Sequence, residues 1–324
     1  MNLLVTGGNG FIGSNFINYW LKRHPEDQIT NVDCLTYAAD PKFVPSFGSG
    51  DSYVFVKGDI GDRPLVERVT KNSDAIINFA AESHVDRSIT DSTDFIRSNI
   101  VGVHNLLQIV KDRKIRFHQV STDEVYGSLP LDGKEKFTNA SPYNPRNPYS
   151  ASKASADFLV RAYHNTFALP VTISNCSNNY GPMQHPEKLI PKTILKAISG
   201  EQIPIYGNGS QVRDWIYVDD HCSALELILE SKNFGSTSLV GGENESSNLE
   251  TVRLLLRILG KSEDLITFVQ DRPGHDVRYA IDSSSFRKET GWSPKMSFKE
   301  GLKATVNHYV SRRDYYIKRL KESL

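Results

Sequence analysis

Gly7-Gly8-Asn9-Gly10-Phe11-Ile12-Gly13 is the stretch that decides the fold of this 324-residue chain. It follows a short apolar run, Asn2 to Thr6, and precedes Ser14 to Leu21, whose apolar residues have helical spacing. The glycines therefore lie where a strand turns into a helix. Such a turn permits a tight bend, close approach of a pyrophosphate to the backbone, and packing of the helix on the strand. The free N–H groups of the helix N-terminus attract phosphate.

A second apolar run, Ile29 to Val32, ends in Asp33, 20 residues after Gly13. An acid at this spacing binds the adenosine ribose hydroxyls in dinucleotide-binding folds. Cys34 follows the acid instead of an arginine, which favours NAD over NADP. A glycine run alone would also fit a flexible turn, but strand, turn, helix, strand and acid in this order favour a dinucleotide site.

Further apolar runs alternate with helical stretches, which predicts an α/β fold with a doubly wound parallel Rossmann sheet. The regular alternation fades near residue 180. We therefore predict an NAD-binding Rossmann domain over residues 1–179 and a smaller C-terminal α/β lobe over residues 180–324. That lobe would mainly bind substrate, with some segments returning to the sheet. The predicted strands are Tyr53–Lys57, Asp74–Ala80, Ile115–Val120 and Val171–Ser174, and one long helix is predicted over residues 92–112.

Charge and cysteine usage exclude several classes of protein. Lys+Arg and Asp+Glu number 38 each, so no net charge favours nucleic acid or an anionic membrane. No apolar run approaches the roughly 18 residues that span a bilayer. The odd set Cys34, Cys176 and Cys222 fits a reducing compartment, so we expect a cytoplasmic protein. Residues 302–324 are predicted to be a helical tail of mixed charge on the surface.

The stretch from Ser121 to Lys153 carries the candidate chemistry. Thr122, Asp123 and Glu124 follow a predicted strand, and a proline-rich loop then leads to a helix expected to begin near Tyr149. Tyr149 and Lys153 share one helical face, where the cation should lower the pKa of the phenol. Alternatively, such a pair is a solvated helix face.

Asp123 and Glu124 are adjacent carboxyl groups, which can take opposite protonation states and act as acid and base. Adjacent side chains of a strand point to opposite faces, so both acids should lie beyond the strand end, in a turn or a helix start. The competing interpretation is that these acids cap the next helix.

These motifs resemble the extended short-chain dehydrogenase/reductase superfamily, and within it the nucleotide-sugar 4,6-dehydratases. The resemblance runs from Leu3 to about Trp292 and includes residues 80–88, 175–182 and 271–276. Thr122-Asp123-Glu124 resembles the branch that acts on dTDP-glucose, whereas related decarboxylases and GDP-mannose dehydratases typically have Thr-Ser-Glu.

The resemblance implies roles for these residues. Tyr149 would take the proton of the sugar C4 hydroxyl while a hydride leaves C4 for NAD. Lys153 would hold the phenolate and the nicotinamide ribose, and Thr122 would hydrogen-bond that hydroxyl. Glu124 and Asp123 would then remove water across C5 and C6. The NAD site would comprise Gly7, Gly10, Phe11, Ile12, Gly13, Asp33, Leu35, Thr36, Asp59, Ile60, Phe79, Ala80, Ala81, Ser83, Ser98, Tyr149, Lys153 and Asn179. The sugar nucleotide would contact Ser83, Thr122, Asp123, Glu124, Asn178, Lys188, Leu189, Pro204, Ile205, Tyr206, Arg213, Asn248, Arg272 and His275. The resemblance also implies a homodimer that pairs helices near residues 92–112 and 149–167.

Several alternatives stay open. A UDP-glucose 4,6-dehydratase, or a UDP-sugar epimerase or decarboxylase, would share most of these motifs. A non-catalytic sugar-nucleotide-binding protein is disfavoured by the complete set of reactive residues. Neither the base of the nucleotide nor the downstream pathway follows from the sequence. His84 is interpreted as a loop histidine, and the acids of Asp219-Asp220-His221-Cys222 as helix caps, so no metal is expected.

Overall fold

The computed structural model describes residues 1–43, 52–271 and 273–323. The strands are β1 Asn2–Thr6, β2 Gln28–Asp33, β3 Tyr53–Lys57, β4 Ala75–Asn78, β5 Arg116–Thr122, β6 Val171–Cys176, β7 Asn178–Tyr180, β8 Ile203–Tyr206, β9 Val212–Tyr217, β10 Thr237–Val240, β11 Glu245–Ser247 and β12 Ile266–Val269. The helices are α1 Phe11–Arg23, α2 Arg63–Val69, α3 Val85–Thr90, α4 Thr93–Phe95, α5 Val103–Arg113, α6 Pro148–Phe167, α7 Leu189–Ser199, α8 Val218–Glu230, α9 Asn248–Leu259, α10 Ser284–Thr290, α11 Phe298–Ser311 and α12 Arg313–Ser323. A π-helix covers Ile96–Gly102, and 3₁₀ turns cover Asp123–Tyr126 and Glu263–Leu265.

Seven strands form the central sheet in the order β10-β6-β5-β4-β1-β2-β3, and all its pairs are parallel. One face is covered by α1 and α8, whose Phe16, Trp20 and Leu225 join the buried core there. The other face is covered by α5 and α6, represented in the core by Leu106 and Val160. The predicted doubly wound Rossmann fold is confirmed. The parallel arrangement brings the carboxyl ends of β1, β2, β4 and β5 to one edge, where ligands bind in such folds.

The C-terminal half builds a second core and also returns to the sheet. A three-stranded sheet, β11-β9-β7, and a parallel pair, β12-β8, pack with α7, α9 and α11 around Ile194, Leu255 and Tyr309. In contrast, β10 pairs with β6 over four residues, from Thr237 opposite Ile173 to Val240 opposite Cys176. The chain therefore crosses between the two halves more than once after residue 180.

Three local predictions differ from the structure. The helix expected over residues 92–112 is helical throughout from Thr93 to Arg113, but its middle seven residues, Ile96–Gly102, form a π-helix. The tail expected on the surface instead forms α11 and α12, whose Leu302, Tyr309 and Tyr316 are fully buried. Mixed charge concealed an apolar stripe on each of these helices.

The third difference concerns the acids proposed as caps of α8. Asp219 and Asp220 lie in the first turn of that helix, but its N-cap is Tyr217 and no side chain caps it. The Asp220 carboxylate instead accepts hydrogen bonds from the backbone N–H groups of Lys295 and Met296, at 2.9 and 3.0 Å. It therefore anchors the segment before α11, which sequence spacing could not reveal.

Candidate active site and cofactor cleft

The glycine turn after β1 leaves no room for side chains. Gly7 has φ +70°, and a Cβ there would lie 2.5 Å from the Ala80 nitrogen. A Cβ on Gly13 would lie 2.5 Å from the Gly7 carbonyl oxygen. Real Cβ atoms do not approach so closely, so both positions require glycine. The turn thus brings β1, β4 and the start of α1 into close contact, as a dinucleotide fold demands.

Asp33 ends β2 beside this turn, and its carboxylate is held by two backbone bonds. The N–H groups of Asn9 and Leu35 donate to it at 2.9 and 2.8 Å. Burial raises the pKa of Asp33, and these two bonds oppose the rise. Because the bonds fix the carboxylate at the cleft edge, it can accept hydrogen bonds from hydroxyl groups of a ligand there, which is the role predicted for it.

The cofactor cleft lies along the carboxyl ends of β1 to β4. Ten residues predicted for NAD line it: Gly7, Gly10, Asp33, Thr36, Asp59, Ile60, Phe79, Ala80, Ala81 and Ser98. Phe11, Ile12 and Gly13 form the first turn of α1 beside the cleft, and Leu35 contacts it through its bond to Asp33. Cys34, Ala38, Ala39 and Glu82 also line it, although none of them was predicted to contact NAD. These residues fit a dinucleotide, because one cleft combines the glycine turn, which has no side chains in the way, with the fixed carboxylate of Asp33.

Thr122, Asp123 and Glu124 lie where the strand prediction requires. Thr122 is the last residue of β5, and its hydroxyl accepts a hydrogen bond from the Glu124 N–H at 3.3 Å, capping the 3₁₀ turn. Asp123 and Glu124 open this turn and so leave the alternation of the strand. Asp123 is buried, whereas Glu124 is half-buried and lines the adjacent pocket.

The Asp123 carboxyl is set up to hold a proton. Its Oδ2 is buried and has no hydrogen-bond partner among the described residues. Burial raises its pKa well above the usual range, and the charges of Glu124 and Asp214 raise it further. The Thr122 hydroxyl donates only a long bond, 3.4 Å, to its other oxygen. A neutral carboxyl beside Glu124 can therefore act as an acid at neutral pH.

Tyr149 and Lys153 lie on one face of α6. Asn147 and Ser150 form a capping box at its start, with Pro148 in the first turn. The Thr122 side chain lies beside the Tyr149 phenol and lowers its pKa, so the start of α6 adjoins the end of β5. Both Tyr149 and Lys153 are buried, and neither forms part of a cavity wall.

The predicted lowering of the Tyr149 pKa is wrong for this arrangement. Burial raises that pKa well above its ordinary value, and the charge of Glu124 adds to the rise. The Lys153 ammonium donates to the Val120 carbonyl at 2.7 Å, and within the described residues no bond joins it to the phenol. The cost of burying a phenolate outweighs a cation one helical turn away.

Asp157 is a residue of this site that sequence reasoning missed. It lies four residues after Lys153, and its Oδ2 accepts hydrogen bonds from Ser121, Tyr143 and Asn175 at 2.7, 3.0 and 3.2 Å. Burial lowers the pKa of Lys153, and the charge of Asp157 opposes that effect. The repeated spacing of four from Tyr149 through Lys153 to Asp157 was the available signal.

A second cavity, the nucleotide pocket, opens beside Glu124 and has a volume of about 300 Å³. Predicted residues that line it are Ser83, Glu124, Asn178, Asn179, Lys188, Leu189, Pro204, Ile205, Tyr206, Arg213, Asn248 and His275. Ser83 was predicted for both ligands and Asn179 for the cofactor alone; both line this pocket and neither lines the cofactor cleft. Arg272 lies outside the described residues.

The polar groups of this pocket suit a sugar nucleotide. The buried Asn178 Oδ1 has no hydrogen-bond partner in the described part of the chain. Arg213 lies 4.4 Å above the Tyr279 ring and donates to the carbonyls of Val212 and Asp276. Lys188 donates to the Ser83 carbonyl at 3.3 Å, so it bridges the two halves of the molecule.

Some pocket residues were missed or interpreted differently. Glu187 and Lys192 line the pocket. Lys192 could have been expected there, because it lies one helical turn after Lys188. His84 caps α3 as a loop histidine would, accepting from the Arg87 N–H, but it also lines the pocket. Its Nε2 lies 3.4 Å from Glu187.

One described cluster, His24, Glu226 and Glu230, has the spacing of a metal site. Glu226 already pairs with Arg23 at 2.8 Å and accepts a bond from Tyr19 at 2.7 Å. A guanidinium in contact with a carboxylate disfavours a second cation there. The cluster lines neither cavity, and the absence of a catalytic metal stays a prediction. No helix within the described ranges is both long and apolar enough to cross a membrane.

Comparison with known proteins agrees with this geometry. The family described as GDP-mannose 4,6 dehydratase matches residues 4–305. The low-salt glycan biosynthesis protein Agl12 of Haloferax volcanii is 50% identical over 311 residues, which cover 96% of this chain and 99% of that protein. A dTDP-glucose 4,6-dehydratase of Mycobacterium tuberculosis is 46% identical over 317 residues, covering 98% and 95%.

Among solved structures, a Streptomyces venezuelae dTDP-glucose 4,6-dehydratase crystallised with NAD and TYD superimposes with a TM-score of 0.95. It is 42% identical, and the match covers 98% of this chain and all of that one. The chain therefore belongs to the GDP-mannose 4,6 dehydratase family, within the extended short-chain dehydrogenase/reductase superfamily, and groups there with the dTDP-glucose 4,6-dehydratases.

Proposed function

We propose that this protein is an NAD-dependent hydro-lyase that converts dTDP-glucose into dTDP-4-keto-6-deoxyglucose. The observation that carries the proposal is the buried Asp123 carboxyl, with an unbonded oxygen, beside the half-buried Glu124 at the pocket wall. A 4-epimerase needs only the oxidation machinery. A protonated acid next to a second carboxyl is what elimination of water requires.

Oxidation at C4 comes first. NAD, when bound, accepts a hydride from C4 of the sugar and later returns it to C6. Tyr149, once ionised, takes the proton of the C4 hydroxyl, and Thr122, which lies beside the phenol, orients that hydroxyl. Lys153, whose charged form the Asp157 carboxylate favours, stabilises the phenolate from one turn further along α6.

Elimination follows because a carbonyl at C4 makes the C5 proton acidic. Glu124 removes that proton, and Asp123 gives its own to the departing C6 hydroxyl, which leaves as water. Glu124 then returns a proton to C5. The sugar has lost one water, with no net redox change, so the cofactor has no reason to leave between turnovers.

The nucleotide is held by the C-terminal half of the chain. We propose that Asn178, Lys188 and Arg213 contact the diphosphate, because amide and cationic groups at one pocket suit it. The division into a cofactor domain, residues 1–179, and a mainly substrate-binding lobe, residues 180–324, follows from these roles. One segment of the C-terminal lobe, β10, belongs to the central sheet of the cofactor domain.

Mass spectrometry after incubation with dTDP-glucose and, in parallel, UDP-glucose tests the proposal. We expect loss of one water from the dTDP sugar alone. Loss of water only from the UDP sugar would keep the mechanism and change the substrate. Unchanged mass in both would refute dehydration and point to epimerisation, and loss of carbon dioxide from a UDP-glucuronate control would indicate a decarboxylase.

We also propose a homodimer formed through the helices near residues 92–112 and 149–167. These carry large exposed apolar side chains, including Ile96, Val101 and Phe158, which are about half exposed at 50, 46 and 54%. Such a cluster marks an interaction surface. A monomer mass by light scattering, unchanged with concentration, would contradict it.

A cytoplasmic location and a role in deoxysugar synthesis complete the proposal. The free cysteines, Cys34, Cys176 and Cys222, suit a reducing compartment. The relative named for glycan biosynthesis supports use of the product in glycan synthesis. We propose further that the product leads to dTDP-rhamnose for a polysaccharide. Activity recovered only in a membrane fraction would contradict the location.

A further inference from the structure

The last helix, α12, contacts the loop after β2 through one buried arginine. The guanidinium of Arg319 pairs with the carboxylate of Asp40, and the two side chains are only 12% and 5% exposed. It also donates to the carbonyls of Tyr37 and Ala39, at 3.2 Å each. The Phe43 ring lies 5.5 Å from the same group. Four contacts thus connect α12 to residues 37–43, which we name the cofactor loop.

The cofactor loop is in turn bonded to the glycine turn. The Asp40 N–H donates to the Asn9 carbonyl at 2.8 Å, and the Asn9 N–H donates to Asp33 at 2.9 Å. Ala38 and Ala39 of the loop line the cofactor cleft. A continuous path of bonds therefore runs from Arg319 through Asp40 and Asn9 to the acid at the adenosine end of the cleft.

The same loop touches the nucleotide pocket. The Tyr37 hydroxyl donates to Glu187 at 3.3 Å, and the Arg87 guanidinium lies 3.6 Å over the Tyr37 ring. Glu187 lines the nucleotide pocket. The loop is therefore fixed at three places, by α12, by the glycine turn and by the pocket wall.

We propose that Arg319 is a positioning residue that holds the cofactor loop against the cleft and so slows release of NAD. The inference rests on the proposed placement of NAD in the cofactor cleft. Movement of the loop away from the cleft would separate Arg319 from Asp40. A buried charge that loses its partner is strongly destabilising, so the closed loop is favoured. Slow release suits a reaction in which NAD is regenerated within each turnover.

Timed release of NAD from the purified holoenzyme tests the role. Wild type, Arg319→Met and the control Lys318→Met are gel-filtered after increasing times in cofactor-free buffer, and NAD per chain is measured after denaturation. Lys318 is a suitable control because it neighbours Arg319 on α12 and, among the described residues, its side chain forms an exposed pair with Glu322 and no buried ion pair. We expect release from Arg319→Met to be roughly 10- to 100-fold faster, within the usual range for coupling between sites. Lys318→Met should release NAD at the wild-type rate.

Kinetics and stability separate positioning from general damage. The NAD concentration that gives half the maximal rate should rise in Arg319→Met far more than kcat falls. Arg319→Lys retains charge but loses the planar fork, so we expect an intermediate release rate. Should the methionine variant fail to fold, a wild-type release rate in Arg319→Lys would overturn the proposal.

The outcomes also separate this inference from the proposed function. A wild-type chain that neither carries nor takes up NAD would overturn the cofactor placement and this role with it. If wild type retains NAD and Arg319→Met retains it equally long, this role alone is overturned. A lower melting temperature of the NAD-free variant with unchanged release would likewise show that the Arg319–Asp40 pair is only structural.

Discussion

Replacement of Tyr149 by Phe is expected to lower the rate of dehydration by roughly 10²–10⁴-fold, the usual contribution of a positioned acid or base. Phenylalanine keeps the ring, which packs edge-on against Phe95 at 6.4 Å between ring centres, and removes only the group that takes the C4 proton. Because every later step needs the C4 carbonyl, the variant should form neither product nor reduced cofactor. Mass spectrometry measures the missing product, and the absorbance of the nicotinamide in a single turnover measures the missing reduced cofactor.

Tyr163→Phe is the matched control for this experiment. Tyr163 lies on the same helix and is half-buried, and its hydroxyl accepts a hydrogen bond from Gln108, but it lines neither cavity. It should retain the wild-type rate. Near-normal turnover in Tyr149→Phe would contradict the mechanism at its first step, whereas a loss in both variants would indicate damage to α6.

The fold was predictable because its signals are local. The glycine turn, Asp33 and the alternation of apolar runs all follow from neighbouring residues, and the parallel sheet confirms them. The second core was not predictable in the same way. Tyr309 and Tyr316 are separated by charged residues, and their burial depends on packing against each other and against residues far away in sequence. Tertiary contacts of this kind leave no short pattern.

The residues of the candidate site also fall into two groups, those predictable from local sequence and those that depend on distant contacts. Glu124 was found from its own motif, and Lys188 was found from the family resemblance. Asp157, Glu187 and Arg319 were not, because each acts through a partner more than 30 residues away in the chain, namely Ser121, Tyr37 and Asp40. The wrong pKa direction for Tyr149 has a similar cause. Spacing shows that a cation shares a helical face, but burial decides the free energy of the phenolate.

Asp123→Asn is expected to block elimination while leaving oxidation at C4 intact. Asparagine fills the same volume but cannot give a proton to the departing C6 hydroxyl. We expect dehydration to fall by roughly 10²–10⁴-fold. Because oxidation continues, reduced nicotinamide should accumulate with a sugar that has lost two hydrogens but no water. Asp220→Asn is the control, since Asp220 is a buried aspartate outside both cavities.

Proton exchange then separates the two carboxyl groups. In heavy water, Asp123→Asn should still exchange the C5 proton, because Glu124 remains to remove it. Glu124→Gln should form little product and show little C5 exchange. If the two variants behave alike in this assay, the division of roles between the neighbouring acids is wrong, even if both lose activity.

The pH dependence follows from the raised pKa of Asp123. The protonated form is the active acid, so wild-type elimination should fall as pH rises through that pKa, and the residual rate of Asp123→Asn should lack this dependence.

The contribution of Asp123 to the free energy of unfolding should also fall as pH rises. A carboxyl whose folded pKa lies above its unfolded value contributes fully below the unfolded pKa and less as pH rises through the folded one. Asparagine carries no charge at any pH, so the Asp123→Asn variant should be at least as stable as wild type at neutral pH. Denaturant unfolding of both proteins measures this. A clearly less stable variant would show that its low activity comes from misfolding and not from the missing acid.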